Sequence, residues 1–352
     1  MRRACYSGDG PKPFGNGVAN SHFYSRSTTA LRAELGRVIP RETLRALHAK
    51  SPARHLLVAA RQFAILALAT WGLLRISSPF IWIPLALVQG FTIFNFTVLL
   101  HDVVHHTVFE GRHLRAERLL GFLYAVPSGL SASQFTRWHL DHHAELGSAD
   151  ADPKRHHLSP KVNARWYKLL YCTPALFPIY FRAARLEAAT YDADLRRRIA
   201  FERRLSIGVH LAVIAVLWAA VGLGAAVRAW IVPVFFVFPI AFTLNRLGQH
   251  YDIDPDDPAK WSTLVKGRWF WDFVFLNSNY HLEHHYFPGV PFYRLPALQR
   301  ALLPFYERRG MRWHTYPALV YGWVFENRAP HTNWSESGGD RQGVVPVGAR
   351  GQ

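Results

Sequence analysis

The stretch Asn277-Ser-Asn-Tyr-His281-Leu-Glu-His284-His285-Tyr-Phe-Pro-Gly-Val-Pro291 places three imidazoles within five residues. The same His-x-x-His-His spacing occurs upstream as His139, His142 and His143, in Trp138-His-Leu-Asp-His-His143. A third group, His101-Asp102-Val-Val-His105-His106, has its outer ligand pair, His101 and His105, four residues apart. Imidazole nitrogen is a borderline-soft donor suited to zinc, copper and iron, so histidines repeated at helical spacing point to a metal site. Groups this far apart in sequence can share a metal only if the fold brings them together, and that requirement organises the reading of the whole chain.

On a helix, residues three and four apart share a face, so each His-x-x-His-His box can present two or three donors in one direction. The adjacent pairs His142/His143 and His284/His285 differ by about 100° around the helix axis, which lets the two rings of a pair address two different ions. The spacing therefore predicts a dinuclear centre. The chain has only Cys5 and Cys172, with no Cys-x-x-Cys, so the ligands must be His, Asp or Glu. The acidic residues inside the boxes, Asp102, Asp141 and Glu283, are candidates either as ligands or as acceptors that hold imidazole N–H groups; Asp150 and Asp152 can do the same from the loop after the second box. His250, in Gly248-Gln-His-Tyr-Asp252, is readable either as an interfacial histidine or as a further ligand. His22, His48, His55, His113, His210, His314 and His331 stand alone and read as solvated or packed. His156 and His157 sit in a basic loop and read as electrostatic or lipid-contacting.

Half of the 352 residues are hydrophobic and only 18% are charged, and the apolar residues fall in long uncharged runs, which is the balance of a membrane-embedded chain. The net charge of +17 comes with no nucleic-acid-binding motif, so its excess of Arg and Lys is assigned to anionic lipid and to topology. The first ten residues lack the apolar core of a signal peptide, so the first span is expected to act as the insertion signal.

Leu56 to Leu74 and Phe80 to Leu100 read as one transmembrane hairpin turning at Ser77-Ser78-Pro79, since about 20 apolar residues cross a bilayer. Ile207 to Val227 and Ala229 to Leu244 read as a second, joined at Arg228. Leu119 to Leu130 and Leu169 to Phe181 are short and interrupted by Pro127, Pro174 and Pro178, and are assigned to the interface. Parity supports this: if the first of them crossed, the His101 and His139 groups would lie on opposite faces. The density of Arg over Arg112–Arg118 and Arg182–Arg204 places these segments, and all the histidine groups, on the cytoplasmic side. The expected division is a basic cytoplasmic arm over 1–54, a membrane domain over 55–325 and a flexible tail over 326–352.

From about residue 55 to residue 325 the chain resembles the membrane fatty acid desaturase family, a superfamily that also holds carotenoid ketolases and hydroxylases. The resemblance rests on His101-x-x-x-His105, His139-x-x-His142-His143 and His281-x-x-His284-His285, in that order around two apolar hairpins. It implies an all-α integral membrane protein: four transmembrane helices in two hairpins, capped by a cytoplasmic helical domain that carries a histidine-rich di-iron site. It also implies that two iron ions, held by His101, His105, His139, His142, His143, His250, His281, His284 and His285, activate O2 and abstract hydrogen from an acyl C–H. Asp102, Asp141, Glu283 and Asn277 are the expected supporting residues. In acyl-CoA desaturases an Asn on the fourth helix holds a metal-bound water; Asn245, Asn277 and Asn279 are the candidates here.

The third box begins with His281, not the Gln of front-end desaturases, and no His-Pro-Gly-Gly cytochrome domain is fused, so electrons are expected from a separate donor of ferredoxin or cytochrome b5 type. The expected substrate is a lipid acyl chain, with no nucleic-acid partner. A carotenoid ketolase or hydroxylase is the alternative within the superfamily, suggested by the Pro288-Gly-Val-Pro291 tail of the third box. A metal transporter is the alternative outside it, but a transporter places its ionisable residues near mid-bilayer, whereas these histidines lie at helix ends.

Overall fold

The computed structural model describes residues 22–148, 151–154, 160 and 162–329. Among these residues the chain is helical, with one isolated bridge between Val265 and His314 as its sole extended pairing. The six helices that carry the argument are α1 (Pro52–Arg75), α2 (Pro79–Val104), α3 (Ala132–Glu145), α4 (Ala193–Val221), α5 (Leu223–His250) and α6 (His281–Tyr286). Of these, α1, α2, α4 and α5 are long and apolar enough to cross a membrane. Their outward faces carry large exposed apolar side chains, such as Leu57, Leu68 and Trp71 on α1 and Leu211, Val216 and Trp218 on α4, which is the surface a helix shows to lipid rather than to water.

Helix α1 starts where sequence logic puts it: Ser51 accepts a hydrogen bond from the Arg54 amide at 3.3 Å, and Pro52 occupies the first turn, where no N–H is needed. It packs on α2 through Phe63 and Phe96, whose ring centroids are 4.6 Å apart. Helices α2 and α5 approach so closely that a Cβ on Gly90 would sit 2.4 Å from Val237, so only glycine fits at this crossing. The middle of α5, Val227–Val237, is wound as a π-helix around Pro233. Gln89 of α2 donates to the Ala229 carbonyl at 2.7 Å, a side-chain tie between the two helices where α5 departs from α-helical winding.

One expectation is corrected here. The joint between the last two long helices is Gly222, not Arg228: α4 ends at Val221, Gly222 has φ 87°, and Arg228 lies inside the π-helical segment. The sequence reading took the charge as the break, whereas the turn needs the residue that tolerates positive φ. The helices Leu114–Ala125 and Leu176–Ala188 fall short of the four spanning candidates in length, in line with the reading of those stretches as too short to cross.

The arm expected over 1–54 is described from residue 22, and there it is helical. Leu31, Leu35, Ile39 and Leu47 are buried in the same core as Phe94, Leu99 and Phe305. The tail expected over 326–352 lies outside the described residues beyond Arg328 and Ala329, and so do His331, Asp150, His156 and His157.

Candidate metal centre

Four helix segments converge on one place. His101 lies in the last turn of α2, and His105 follows as its C-cap residue. His139, His142 and His143 come from α3, His250 is the last residue of α5, and His281, His284 and His285 come from α6. The start of α3 is fixed against α4 by Glu202, whose carboxylate accepts from the Ser131 hydroxyl at 2.6 Å, the Ser133 amide at 2.9 Å and the Ser133 hydroxyl at 2.6 Å. A carboxylate at a helix N-terminus complements the helix dipole and its unpaired amides.

The nine imidazoles divide into two sets. His101, His105, His139, His143 and His284 form one, and His142, His250, His281 and His285 the other; within each, the donor atoms lie within 4.8 Å of one another. Adjacent residues therefore face different sets: His142 against His143, and His284 against His285. In the five-membered set, His105 Nε2 and His139 Nε2 are 2.7 Å apart, and His143 Nε2 and His284 Nε2 are 3.0 Å apart. In the four-membered set, His250 Nε2 lies 3.0 Å from His142 Nε2, 3.0 Å from His281 Nε2 and 3.3 Å from His285 Nε2.

These distances fit a cation. His142 donates its Nδ1–H to Asp152 at 2.9 Å, and His250 donates its Nδ1–H to the carbonyl of Trp261 at 2.9 Å. Both rings then carry lone pairs on Nε2, and those lone pairs face each other at 3.0 Å. Such an arrangement is repulsive unless positive charge lies among the nitrogens, and nitrogens about 2.1 Å from one ion at right angles are themselves about 3.0 Å apart. The buried His101 Nε2 has no hydrogen-bond partner among the described residues, as a donor reserved for a metal should not. Burial, reinforced by neighbouring imidazoles and, for all but His285, by Lys154, holds His139, His143, His281, His284 and His285 well below the usual imidazole pKa. His142 is lowered by burial to about 4 against the opposing pull of Asp152. All six rings are thus neutral, the form that binds metals.

The supporting residues are distributed differently from the expectation. Asp152 performs the role weighed for it, holding His142. Asp141 does not hold a histidine: it pairs with Arg137 at 2.7 Å on the outer face of α3. It sits 200° from His139 on a helix of 3.6 residues per turn, so it must face away. Glu283 also points away from the imidazoles; its carboxylate accepts from Gln299 and from the Tyr306 hydroxyl, both at 2.7 Å, and burial raises its pKa to about 7 against those hydrogen bonds. Asp102 receives the Phe292 amide at 3.4 Å and faces His55 at 3.5 Å, so it ties the third box's following loop to α1 and α2.

Asn277 takes a left-handed φ of 59° and ends the Trp269–Val274 helix through its own amide, while the asparagine that lines the cavity beside the histidines is Asn245. Asn245 lies about 140° around α5 from His250, and of the two it is Asn245 that lines the cavity. His106, left open by the sequence, turns away with φ 54° and pairs with Glu117 at 2.9 Å.

Two further features were not visible in the sequence. Lys154 Nζ reaches His139 Nδ1 at 3.2 Å from the loop after the second box, and burial, with Arg246 nearby, lowers its pKa to about 7. His55, read as isolated, is buried against Asp102 and the Tyr124 hydroxyl, 3.2 Å away. Each depends on a contact between segments remote in sequence, which no spacing rule announces.

The centre borders a cavity of about 100 Å3 lined by His101, His139, His281 and His284 together with Phe94, Val98, Phe135 and Phe242. The arrangement can hold two cations next to an apolar ligand.

The comparisons with known proteins agree. The human protein named sphingolipid delta(4)-desaturase/C4-monooxygenase DES2 is 26% identical over 247 residues, 66% of this chain and 69% of that one. Sphingolipid delta(4)-desaturase DES1 of Xenopus tropicalis is 23% identical over 247 residues, with the same coverage. An acyl-lipid 8-desaturase of Rebecca salina is 23% identical over 252 residues, 61% of this chain and 55% of that one. The family profile described as Fatty acid desaturase matches residues 77–317, a span that takes in every histidine of both sets. With two thirds of its length inside that profile and its imidazoles gathered as two donor sets, the chain belongs to the fatty acid desaturase family of oxidoreductases.

Proposed function

We propose that this chain is a multi-pass membrane enzyme that uses two iron ions, O2 and electrons from a separate donor to introduce a double bond into a lipid acyl chain. The observation that carries the reading is the pair of imidazole sets bordering an apolar cavity. His101, His105, His139, His143 and His284 would hold one ion, and His142, His250, His281 and His285 the other. When bound, the irons supply the O2 activation needed to remove hydrogen from an unactivated C–H bond. The protein's own part is positional: Asp152 and the Trp261 carbonyl fix the tautomers of His142 and His250, Phe94, Val98 and Phe242 shape an apolar bed for the chain, and burial excludes water from the reaction.

We assign α1/α2 and α4/α5 to two membrane hairpins with the metal centre at their cytoplasmic end. Ser78 precedes His101 by 23 residues and Gly222 precedes His250 by 28, roughly 35 Å and 42 Å along a helix, which exceeds the roughly 30 Å hydrocarbon core. Both joints would then lie across the membrane from the histidines. Cysteines placed at Ser78 and Gly222 should label from outside and one at Arg112 only after permeabilisation; external labelling at Arg112 would reverse the topology.

The function is tested by expressing the chain with a compatible reductase, profiling fatty acids, sphingolipids and carotenoids by mass spectrometry, and measuring metal content. A new double bond in a lipid, with about two irons per chain, is the expected result. One stoichiometric zinc, or a hydroxy or keto product without a new double bond, would reject desaturation.

A further inference from the structure

We infer that the Trp269–Val274 helix is a wedge set among the acyl chains of the leaflet on the histidine side, with Lys266 and Arg268 against its anionic head groups. This rests on the membrane hairpins proposed above. The helix has an outer face of three large aromatic side chains: Trp269 is 81% exposed, Phe273 56% and Phe270 48%. At 100° per residue these three fall within about 100° of one another, while Trp271 turns to the other side and stacks on Phe275 at 5.7 Å. Apolar residues exposed singly are ordinary on a surface in water, but three aromatics gathered on one side of so short a helix form a patch that a partner covers.

Contacts with the long helices fix its depth. Phe275 packs on Phe91 and Phe94 of α2, with ring centroids 5.8 and 5.7 Å away. Counted from Ser78, Phe91 lies roughly 20 Å and Phe94 roughly 24 Å along α2, both inside a hydrocarbon core of roughly 30 Å. On the other flank, the Arg61 guanidinium of α1 lies over the Phe273 ring at 5.0 Å. Arg61 shares a stripe of α1 with the exposed Leu57 and Leu68, so the aromatic patch continues the surface that α1 shows to lipid.

A segment at this depth is tolerated only if its backbone and its charge are satisfied. The amides of Asp272, Phe275, Asn277 and Ser278 donate to the carbonyls of Arg268, Trp271, Asp272 and Phe275, each at 2.9 Å. Asp272, the one acid of the helix, accepts from Asn279 Nδ2 and from the Tyr280 hydroxyl, both at 2.9 Å. Tyr280 immediately precedes His281, so the wedge ties the third box to the bilayer. Lys266 and Arg268 are exposed where the chain enters the patch, and such cations suit lipid phosphate at the level of the head groups.

The test uses the full chain in nanodiscs of phosphatidylcholine and phosphatidylglycerol, with Cys5 and Cys172 changed to Ser. A bimane is placed at Trp269→Cys or, independently, at Phe273→Cys. Lipid carrying a nitroxide on its acyl chain should quench either label several-fold more than aqueous iodide does, and the order should reverse for a label at Arg112→Cys. Nitroxide-phosphatidylglycerol should quench roughly twofold more than nitroxide-phosphatidylcholine, and Lys266→Glu combined with Arg268→Glu should erase that preference. Stronger quenching by iodide at both positions would overturn the wedge, while labelling at Ser78 and Gly222 still decides the hairpins. Labels shielded from both quenchers would overturn the lipid in favour of a second copy of the chain. Equal quenching by the two lipids would overturn the head-group contact.

Discussion

The second and third histidine boxes, His139-Leu-Asp-His142-His143 and His281-Leu-Glu-His284-His285, share one pattern in two settings. The second lies on α3, a 14-residue helix with an outer face open to solvent, and the third on α6, a six-residue helix buried along its whole length. In both, the first histidine lies close to one member of the following pair and the pair splits between the two donor sets. The acid between them turns 200° from the first histidine in both boxes. There the likeness ends. Asp141 meets Arg137 at a surface where its side chain is 28% exposed, whereas Glu283 is fully buried and holds Gln299 and Tyr306. The spacing of a box dictates where its imidazoles point; what lies behind the helix dictates what its acid does.

The largest effects should come from the imidazoles, and they should differ between sets. The four-donor set has no donor to spare, so His142→Ala or His285→Ala should release an ion and abolish activity. The five-donor set retains four after His143→Ala, and this variant should keep more iron than His142→Ala although the two residues are neighbours. Iron counted per chain after gel filtration checks this; equal losses from the two variants would break the division into sets. The expected fall in affinity at the four-donor site is at least as large as the roughly 10–100-fold that loss of a supporting partner brings.

Glu283→Ala comes next. It leaves one N–H of Gln299, whose Nε2 still donates to the Val265 carbonyl, and the Tyr306 hydroxyl without their acceptor, each at roughly 1–3 kcal/mol, so the variant should lose roughly 2–6 kcal/mol of stability and melt well below the parent. Glu283→Gln preserves an acceptor oxygen and should recover most of the loss. A melting temperature unchanged in the alanine variant would show that the third box does not depend on the support behind it.

Asp152→Ala removes the acceptor of the His142 Nδ1–H. It should weaken metal binding about 10–100-fold with a smaller change in the melting temperature. Competition with a graded series of chelators would read the affinity directly. If binding is unaltered, the tautomer of His142 is fixed by something other than Asp152.

Much of this was legible in the chain. The four long helices follow from uninterrupted apolar runs, and the two donor sets follow from spacings of three, four and one on a helix. Gly222 was passed over because a charged residue six positions later looked like the more obvious break. Asp141 and Glu283 were grouped with the histidines although the same helical arithmetic that split His142 from His143 already turned them away. The contacts of Lys154 with His139 and of His55 with Asp102 could not be read, since each is made by side chains that meet across the fold and carry no periodic signal.

The smallest effect should be that of Asp141→Ala, and it sharpens the comparison because it alters the same position of the box as Glu283→Ala. Asp141 and Arg137 are one turn apart on α3, with Arg137 54% exposed and Asp141 28%. An ion pair of this kind contributes roughly 0–1 kcal/mol, since water screens it and two mobile side chains must be held still to form it. The aspartate also lies about 200° around the helix from His139 and His143 and gives its carboxylate to Arg137, so its removal changes no contact of either donor set. Activity and iron content should therefore match the parent, and the melting temperature should fall by no more than a few degrees, with the difference vanishing at high salt. A loss of iron in Asp141→Ala would mean that the outer face of α3 steers its inner face, and the rule that spacing alone aims the imidazoles would fail.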